Sequence, residues 1–510
     1  MTHAAINGGW ADAADSAAPI APETIATELA GIVGDDHVER EAWLTDASGL
    51  GASAPVLVSP ADAEEVRGTV AWAYERGVAI VPVGGRSGYS GGIVPETGRP
   101  LVAVALERLN RIRSFDPLLW RIEVEAGVTT ATVHRLAREN GLLFGPDPGA
   151  SDQSQIGGNL ATNAGGPHAF KYGVVSHWVT GVEAVIAPGE LARFGGPIRK
   201  DVAGYDLRGL LIGSEGTLGI ITAAWLRLTP APPAAIPVVA GYRTIGEGIE
   251  AIQAALASNV VPAAIEYLQG DALRHAPPPF LDVGEVRFLV ICEAESEPER
   301  DALIEALGPG AATYDPAEVW RWRSGVSLVV RTVKGEKLAE DIAVPLDRLG
   351  EAIERTLRIG ERNGLDACSW GHAGDGNLHS TFLFDPDDAN DRARAQAAAE
   401  DLFALARELG GTVSGEHGVG KLKRGQLSAQ WNTASVGAHT AVKRAPFAKL
   451  LGTRNAIAAV QTAVAALGNP ALTRTHPLER HLRDVLCSRI HPPQDDAALI
   501  ALGKQALAAS

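Results

Sequence analysis

Short apolar runs, broken by glycine and by stretches of helical period, set the rhythm of the first half of the chain. The run Val78–Val83 reads as a strand that empties into a glycine-rich loop. Leu101–Leu106, Ile122–Val124, Val182–Ile186 and Ile220–Leu228 read as further strands, and Thr130–Asn140 as a helix stopped by Asn140-Gly141. The string TPAPPAAIP at Thr229–Pro237 has the composition of a linker. Beyond it the order changes. Val238–Tyr242 reads as strand, Ile245–Ala257 as helix, Ala264–Leu268 and Val286–Cys292 as strands, and Glu297–Leu307 as helix, an order like that of a split βαβ module. Asp341–Val344, the helix Leu346–Arg362, a strand pair around 368–384 and the helix Asp391–Leu409 continue it. The pattern predicts an α+β chain with a loose N-terminus (1–20), a first domain (21–235), a second (236–425) and an Ala-rich helical segment (426–510).

Composition narrows the function. At 510 residues the chain exceeds what one core usually organises. Its 45 Lys and Arg against 61 Asp and Glu leave a net charge of −16, which argues against nucleic acid and against a polybasic membrane anchor. Cys292, Cys368 and Cys487 are too widely spaced for a CxxC pair or a disulfide framework and read as reduced thiols. There is neither an apolar run long enough to span a bilayer nor an N-terminal secretory pattern. The expected location is cytoplasmic, with peripheral membrane association open. Glycine is in excess, 57 residues, and part of that excess is clustered.

Three clusters carry the first candidate chemistry. VPVGGRSGYSGG (81–92) places glycines directly after a strand, where backbone N–H groups can converge on an anion; the alternative is a mobile surface loop. It is neither a dinucleotide fingerprint nor a P-loop. SQIGGNLATNAGG (154–166) mixes glycine with small hydrogen-bonding side chains, suited to a flat polar ring or to a packed turn. KDVAGYDLRGLLIGSEGTLGI (200–220) repeats the theme before a strand, or is an ordinary loop entering it. Together they favour one extended, phosphate-bearing cofactor.

A second constellation lies at His372-Ala-Gly-Asp-Gly-Asn377-Leu-His379. Asp375-Gly376 predicts a two-residue hairpin turn, which would set His372 directly opposite His379, with Asn377 on the same face. Two such histidines can share a metal, be hydrogen-bonded core residues, or touch a cofactor. Glu416, set among glycines in SGEHGVG, is the candidate third ligand. His417, with an ordinary pKa of about 6.5, suits a general base or a structural role. Trp320-Arg-Trp-Arg323 reads either as a helix start or as part of a site.

These strings, with HAGDGNLH and SGEHGVGKLK, resemble the FAD-binding oxidoreductases of the vanillyl-alcohol oxidase type. The likeness is to the branch of D-lactate dehydrogenases, D-2-hydroxyglutarate dehydrogenases and the glycolate oxidase D subunit. The resemblance spans about 45–425. It implies a two-part FAD-binding domain and a mixed α/β substrate-cap domain with ferredoxin-like elements. It also implies FAD contacts from Pro82, Gly84, Gly85, Arg86, Ser87, Gly88, Pro146, Gly157, Gly158, Asn159, Thr162, Asn163, Gly165, Tyr172, Gly173, Glu215, Gly219 and Ile220. Some relatives bind flavin covalently through His; the Gly84–Gly92 loop has none, so non-covalent FAD is expected, with His168 and His177 the remaining candidates for attachment. The resemblance further implies a divalent ion, Zn or Mn, on His372, His379 and Glu416, and catalytic roles for His417, Asn377 and Arg323, the last gripping a substrate carboxylate.

Two departures stand out. Hydroxyglutarate-type members carry a lysine two residues before the Asp that corresponds to Asp341; here that position is Ala339, so that second carboxylate contact does not carry over, and Lys337 is the nearby substitute. The "LNPGK"-like closing string is missing, and 430–508 instead resembles the C-terminal helical segment of acyl-CoA dehydrogenases. The expected activity is FAD-dependent oxidation of a 2-hydroxy acid, of D configuration, to the 2-oxo acid. The alternatives are a specialised amine or alcohol substrate, or a non-catalytic assembly subunit. Expected partners are a small carboxylate substrate, a second copy of the chain, and an electron-acceptor protein or quinone.

Overall fold

A computed structural model describes residues 20–431, apart from 97 and 99. Three sheets organise them. The first contains β1 (Val38–Thr45), β2 (Gly51–Val58), β3 (Ala79–Val83) and β4 (Leu101–Ala105) in the order β1-β2-β4-β3, with β4 parallel to both neighbours. Helices α1 (Pro22–Val33) and α2 (Ala63–Arg76) cover it. Asp62 accepts the Glu64 and Glu65 N–H groups at the start of α2, and left-handed Gly77 ends it. The second sheet is antiparallel. It contains β5 (Ile112–Asp116), β6 (Arg121–Glu125), β8 (Val179–Ile186), β9 (Glu190–Gly195) and β10 (Ile220–Arg227), ordered β5-β6-β10-β8-β9. Between β6 and β8 come α3 (Thr130–Glu139), β7 (Leu142–Leu143) and the short α4 (Ile156–Thr162).

The segment expected to be a linker holds β11 (Thr229–Pro230), which pairs with β7, and runs into β12 (Ile236–Tyr242). The third sheet adds β13 (Ile265–Gln269), β14 (Phe288–Ala294), β15 (Ala312–Thr313), β16 (Glu336–Ala343), β17 (Asp366–His372) and β18 (Asn377–Phe384), ordered β15-β12-β14-β13-β17-β18-β16. Every residue of β14 is buried, because both faces of the sheet are covered. On one face Phe288, Val290 and Cys292 pack with α5 (Ile245–Ala257), α6 (Glu297–Leu307), α8 (Leu349–Arg362) and α9 (Ala389–Glu408). On the other, Leu289 and Ile291 share a core with Val319, Val326 and Val330 of α7 (Pro316–Arg331). Cys292 and Cys368 are buried and unbonded to each other. Cys487 and the predicted helical segment beyond Trp431 lie outside the described residues, as does the N-terminal stretch 1–19.

The hairpin after β17 departs from expectation. Four residues, 373–376, separate the strands, so His372 faces Asn377 and His379 faces Trp370. The register is shifted by two from the predicted pairing. A shift of two keeps each side chain on its face, so His372 and His379 become diagonal neighbours rather than direct partners. Gly376, at φ +75°, takes the left-handed turn position.

His168 joins the first half of the chain to the third sheet. Its Nδ1 lies 2.5 Å from Asp147 Oδ2 and its Nε2 2.9 Å from Glu293 Oε1 of β14. Burial opposes the charge, but the two carboxylates win and raise its pKa well above the usual histidine range. Because the folded value is raised, this contribution to stability is complete below the unfolded pKa of about 6.5 and is lost as pH rises through the folded value. Thermal unfolding across that range should show a decline in the melting midpoint, and the decline should flatten in His168→Gln. An unchanged slope in the variant would assign the pH dependence elsewhere.

Candidate functional site

The glycine strings converge on one cleft. Pro82, Gly84, Gly85, Arg86, Ser87 and Gly88 line it from the loop after β3, Gly157, Gly158, Asn159 and Thr162 from α4, and Glu215, Gly219 and Ile220 from the turn into β10. The backbones are close enough that only glycine fits at two points. A Cβ on Gly85 would lie 2.0 Å from the Gln153 carbonyl oxygen, and one on Gly157 2.7 Å from the Ala126 Cβ. Asp46 and Gln155 also line the cleft, and neither was singled out from sequence. Gln155 Oε1 is buried there without a partner, an acceptor left for a ligand.

Five expected cofactor residues are not among those lining the cleft. The Pro146 carbonyl is 2.8 Å from His134 Nε2. Asn163, left-handed at the end of α4, accepts the Ser176 N–H. The Tyr172 hydroxyl bonds Glu295. Gly173 packs against His177, where a Cβ would lie 2.5 Å from Nδ1. Gly165 admits Glu416: a Cβ there would lie 2.8 Å from Oε2.

The histidine constellation forms on the face of the third sheet that α7 covers. His372 Nε2 and His379 Nε2 are 3.3 Å apart, and Glu416 Oε1 is 3.3 Å from the first and 3.4 Å from the second. These are the three residues that could hold a metal ion among the described residues. His372 Nδ1 is 2.5 Å from Glu266 Oε1, which turns its Nε2 toward the other two ligand atoms. Burial pushes the Glu416 carboxyl up, but His372 outweighs it and brings it down to about 2, its own pKa raised well above the usual histidine range, against burial, by Glu266 and Glu416. Burial and the charge on His372 hold His379 well below the usual range, so it presents a lone pair.

His417 stacks between Tyr89, at 4.7 Å between ring centres, and His379, at 5.3 Å. Burial lowers its pKa against the pull of Asp341 and Glu416, which favours the neutral ring needed to accept a proton. Arg323, on α7, is buried; its Nη2 stands 2.5 Å from Glu266 Oε2 but outside hydrogen-bond angles, and its Nε has no partner. The Nε–H remains for a ligand. Asn377 donates to the Ile342 carbonyl, while its buried Oδ1 has no partner. Trp320 turns away, donating to Glu293 at 2.5 Å. Lys337 lies 2.5 Å from Ser327 Oγ and above the Trp370 ring, and burial lowers its pKa to about 8.

Glu266 went unnoticed in the sequence, although a lone carboxylate in the apolar string AAIEYLQ was a signal: a charge inside a buried strand needs a partner. It has two, His372 and Arg323. Glu266→Ala should cost about 3–5 kcal/mol in denaturant unfolding, because it leaves buried charge uncompensated. A loss below about 1 kcal/mol would show that the pair is not an electrostatic anchor.

Comparison with known proteins gives this geometry a family. Residues 54–195 match the FAD binding domain model and 231–445 the model for the C-terminal domain of FAD linked oxidases. Residues 395–496 also match the acyl-CoA dehydrogenase C-terminal domain. The chain is 31% identical to "Glycolate oxidase subunit GlcD" of Bacillus subtilis, over 81% of this chain and 90% of that one. It is 33% identical to "D-2-hydroxyglutarate dehydrogenase" of Xanthomonas citri pv. viticola, over 74% and 83%. It is 31% identical to "D-lactate dehydrogenase" of Anaerostipes hadrus, over 73% and 83%. Among solved structures, p-cresol methylhydroxylase superposes with a TM-score of 0.68 at 16% identity, covering 84% of this chain and 95% of that one, a likeness of fold. The protein belongs to the FAD-linked oxidases and has their two-domain, vanillyl-alcohol oxidase-like fold. It is an FAD-linked oxidoreductase. No helix among the described residues is long and apolar enough to cross a membrane.

Proposed function

We propose that the protein oxidises a D-2-hydroxy acid to the corresponding 2-oxo acid, using non-covalent FAD and a divalent ion, Zn or Mn, held by His372, His379 and Glu416. The observation that carries this reading is the triangle of ligand atoms, 3.3–3.4 Å on each side, beside the His417 ring and an incompletely bonded Arg323. Ligands about 2.0–2.1 Å from a tetrahedral ion stand roughly 3.3–3.4 Å apart, so the triangle has the size of one coordination face. The named relatives supply the substrate class: glycolate, D-lactate and D-2-hydroxyglutarate are all 2-hydroxy acids.

The chemistry divides between the bound groups and the chain. When bound, FAD supplies a hydride acceptor for the substrate Cα–H, and the ion supplies acidification of the α-hydroxyl. The chain does the rest. Arg323 grips the carboxylate through its free Nε–H and fixes which face of Cα is presented. His417 Nε2 accepts the hydroxyl proton. Asn377 Oδ1 gives a further acceptor beside the cluster. Glu266 accepts the His372 Nδ1–H and so aims Nε2 at the cluster, where a bound ion would take the place of its proton. The cleft between the first two glycine strings and the turn into β10 receives FAD, with Gln155 satisfying one of its donors.

Glu416→Ala tests the reading. The purified variant should retain its flavin spectrum, lose the metal by elemental analysis, and lose substrate-dependent flavin reduction by at least about a hundredfold. Full metal occupancy, or unimpaired reduction without metal, would contradict it.

A further inference from the structure

The loop that carries both Glu416 and His417 is built from glycines and has no regular secondary structure, yet almost every amide in it is spoken for. Asp341 Oδ2, from β16, accepts the N–H groups of Gly415, Glu416 and His417 at 2.6, 2.6 and 3.1 Å. Glu215 accepts the N–H groups of Val419 and Gly420 at 2.8 and 2.7 Å. The Ser90 hydroxyl donates to the His417 carbonyl at 3.1 Å. The backbone of His417 is therefore fixed at both its donor and its acceptor.

The ring is nearly fixed as well. Tyr89 and His379 stack on its two faces, which leaves rotation within its own plane as the remaining freedom. What meets the two edges decides that rotation. Nδ1 faces Asp341 Oδ1 at 3.4 Å, and Nε2 faces Glu416 Oε1 at 3.9 Å. Asp341 is fully buried, so its charge needs a fixed counterion. Lys423 is that counterion. It is 1% exposed, its Nζ bonds the Asp341 carboxylate and the Asp341 carbonyl at 3.0 Å, and it lies 3.3 Å from Glu340 Oε2.

We propose that Asp341 is the positioning residue for His417. Its carboxylate, locked by Lys423, orders the 415–417 backbone through Oδ2, and the charge on Oδ1, 3.4 Å from His417 Nδ1, favours the proton on that nitrogen, which leaves Nε2 as the proton-accepting nitrogen. This rests on the reading of His417 as the base. The arrangement joins two tasks in one carboxylate, because one oxygen faces the ring of the base while the other holds the backbone of the neighbouring Glu416.

The test uses the full-length FAD- and metal-loaded protein. Asp341→Asn should keep FAD and metal but lower the limiting rate of flavin reduction by about 10²–10⁴-fold, with little change in substrate affinity. Because that change strands the Lys423 charge, the paired variant Asp341→Asn/Lys423→Met is made alongside it. It should melt near the parent temperature and still reduce flavin slowly. Nitrogen-15 NMR of ring-labelled histidine, with His417 assigned by loss of its signal in His417→Asn, should show Nδ1–H in the parent. In the paired variant that signature should be lost. A parent carrying the proton on Nε2, or a paired variant with the parent's limiting rate, would overturn the positioning role. Parent-like reduction by His417→Asn would instead overturn the base assignment and leave the NMR result to judge Asp341.

Discussion

The arrangement at the centre of the molecule depends on one buried carboxylate. Asp341 binds three consecutive backbone amides, and those amides belong to the residues that present Glu416 and His417. Glycine is required around them because the chain passes so close to its neighbours: a Cβ on Gly415 would lie 2.1 Å from Asn377 Nδ2, and one on Gly411 2.1 Å from the Ala343 carbonyl. A loop with this little side-chain bulk cannot hold its shape by packing, so charge-assisted hydrogen bonds do it. Glu215 does the same for Val419 and Gly420 from the other half of the chain. The loop thus stitches the glycine-lined cleft to the third sheet.

Charge is compensated in chains rather than pairs. Glu266 lies between His372 and Arg323, and His372 lies between Glu266 and Glu416. Lys423 lies between Asp341 and Glu340; burial and Asp341 push the Glu340 carboxyl up to about 7 against the pull of Lys423. Each buried charge in these chains would be expensive alone. Burial, with the charge on His372, holds His379 well below its usual range, and burial holds His417 down against the pull of Asp341 and Glu416.

Much of this was legible in the sequence where the signal is local. The strands at 79–83 and 101–105 and the helix at 130–139 with its Asn140 stop came from runs of a few amino acids. Thr244 and Glu247 form a full capping box at the helix predicted for Ile245–Ala257. The pairing of His372 with His379 on one face survived an error in the turn, because a two-residue shift preserves the face. The strand β16 was legible only at its apolar end, since EKLAE carries no alternation that separates it from a helix. The partners of Asp341 and Glu215 were not legible at all. Lys423 lies 82 residues from Asp341 and Val419 lies 204 from Glu215, and no local pattern encodes such a contact.

The most direct measurement is an anaerobic visible-absorption titration of the purified, metal-replete protein with a pool of D-2-hydroxy acids. The flavin band should bleach, and fractionating the pool should trace the bleaching to one member. A flavin that stays oxidised through the whole pool would contradict the assignment of this site to 2-hydroxy acid oxidation.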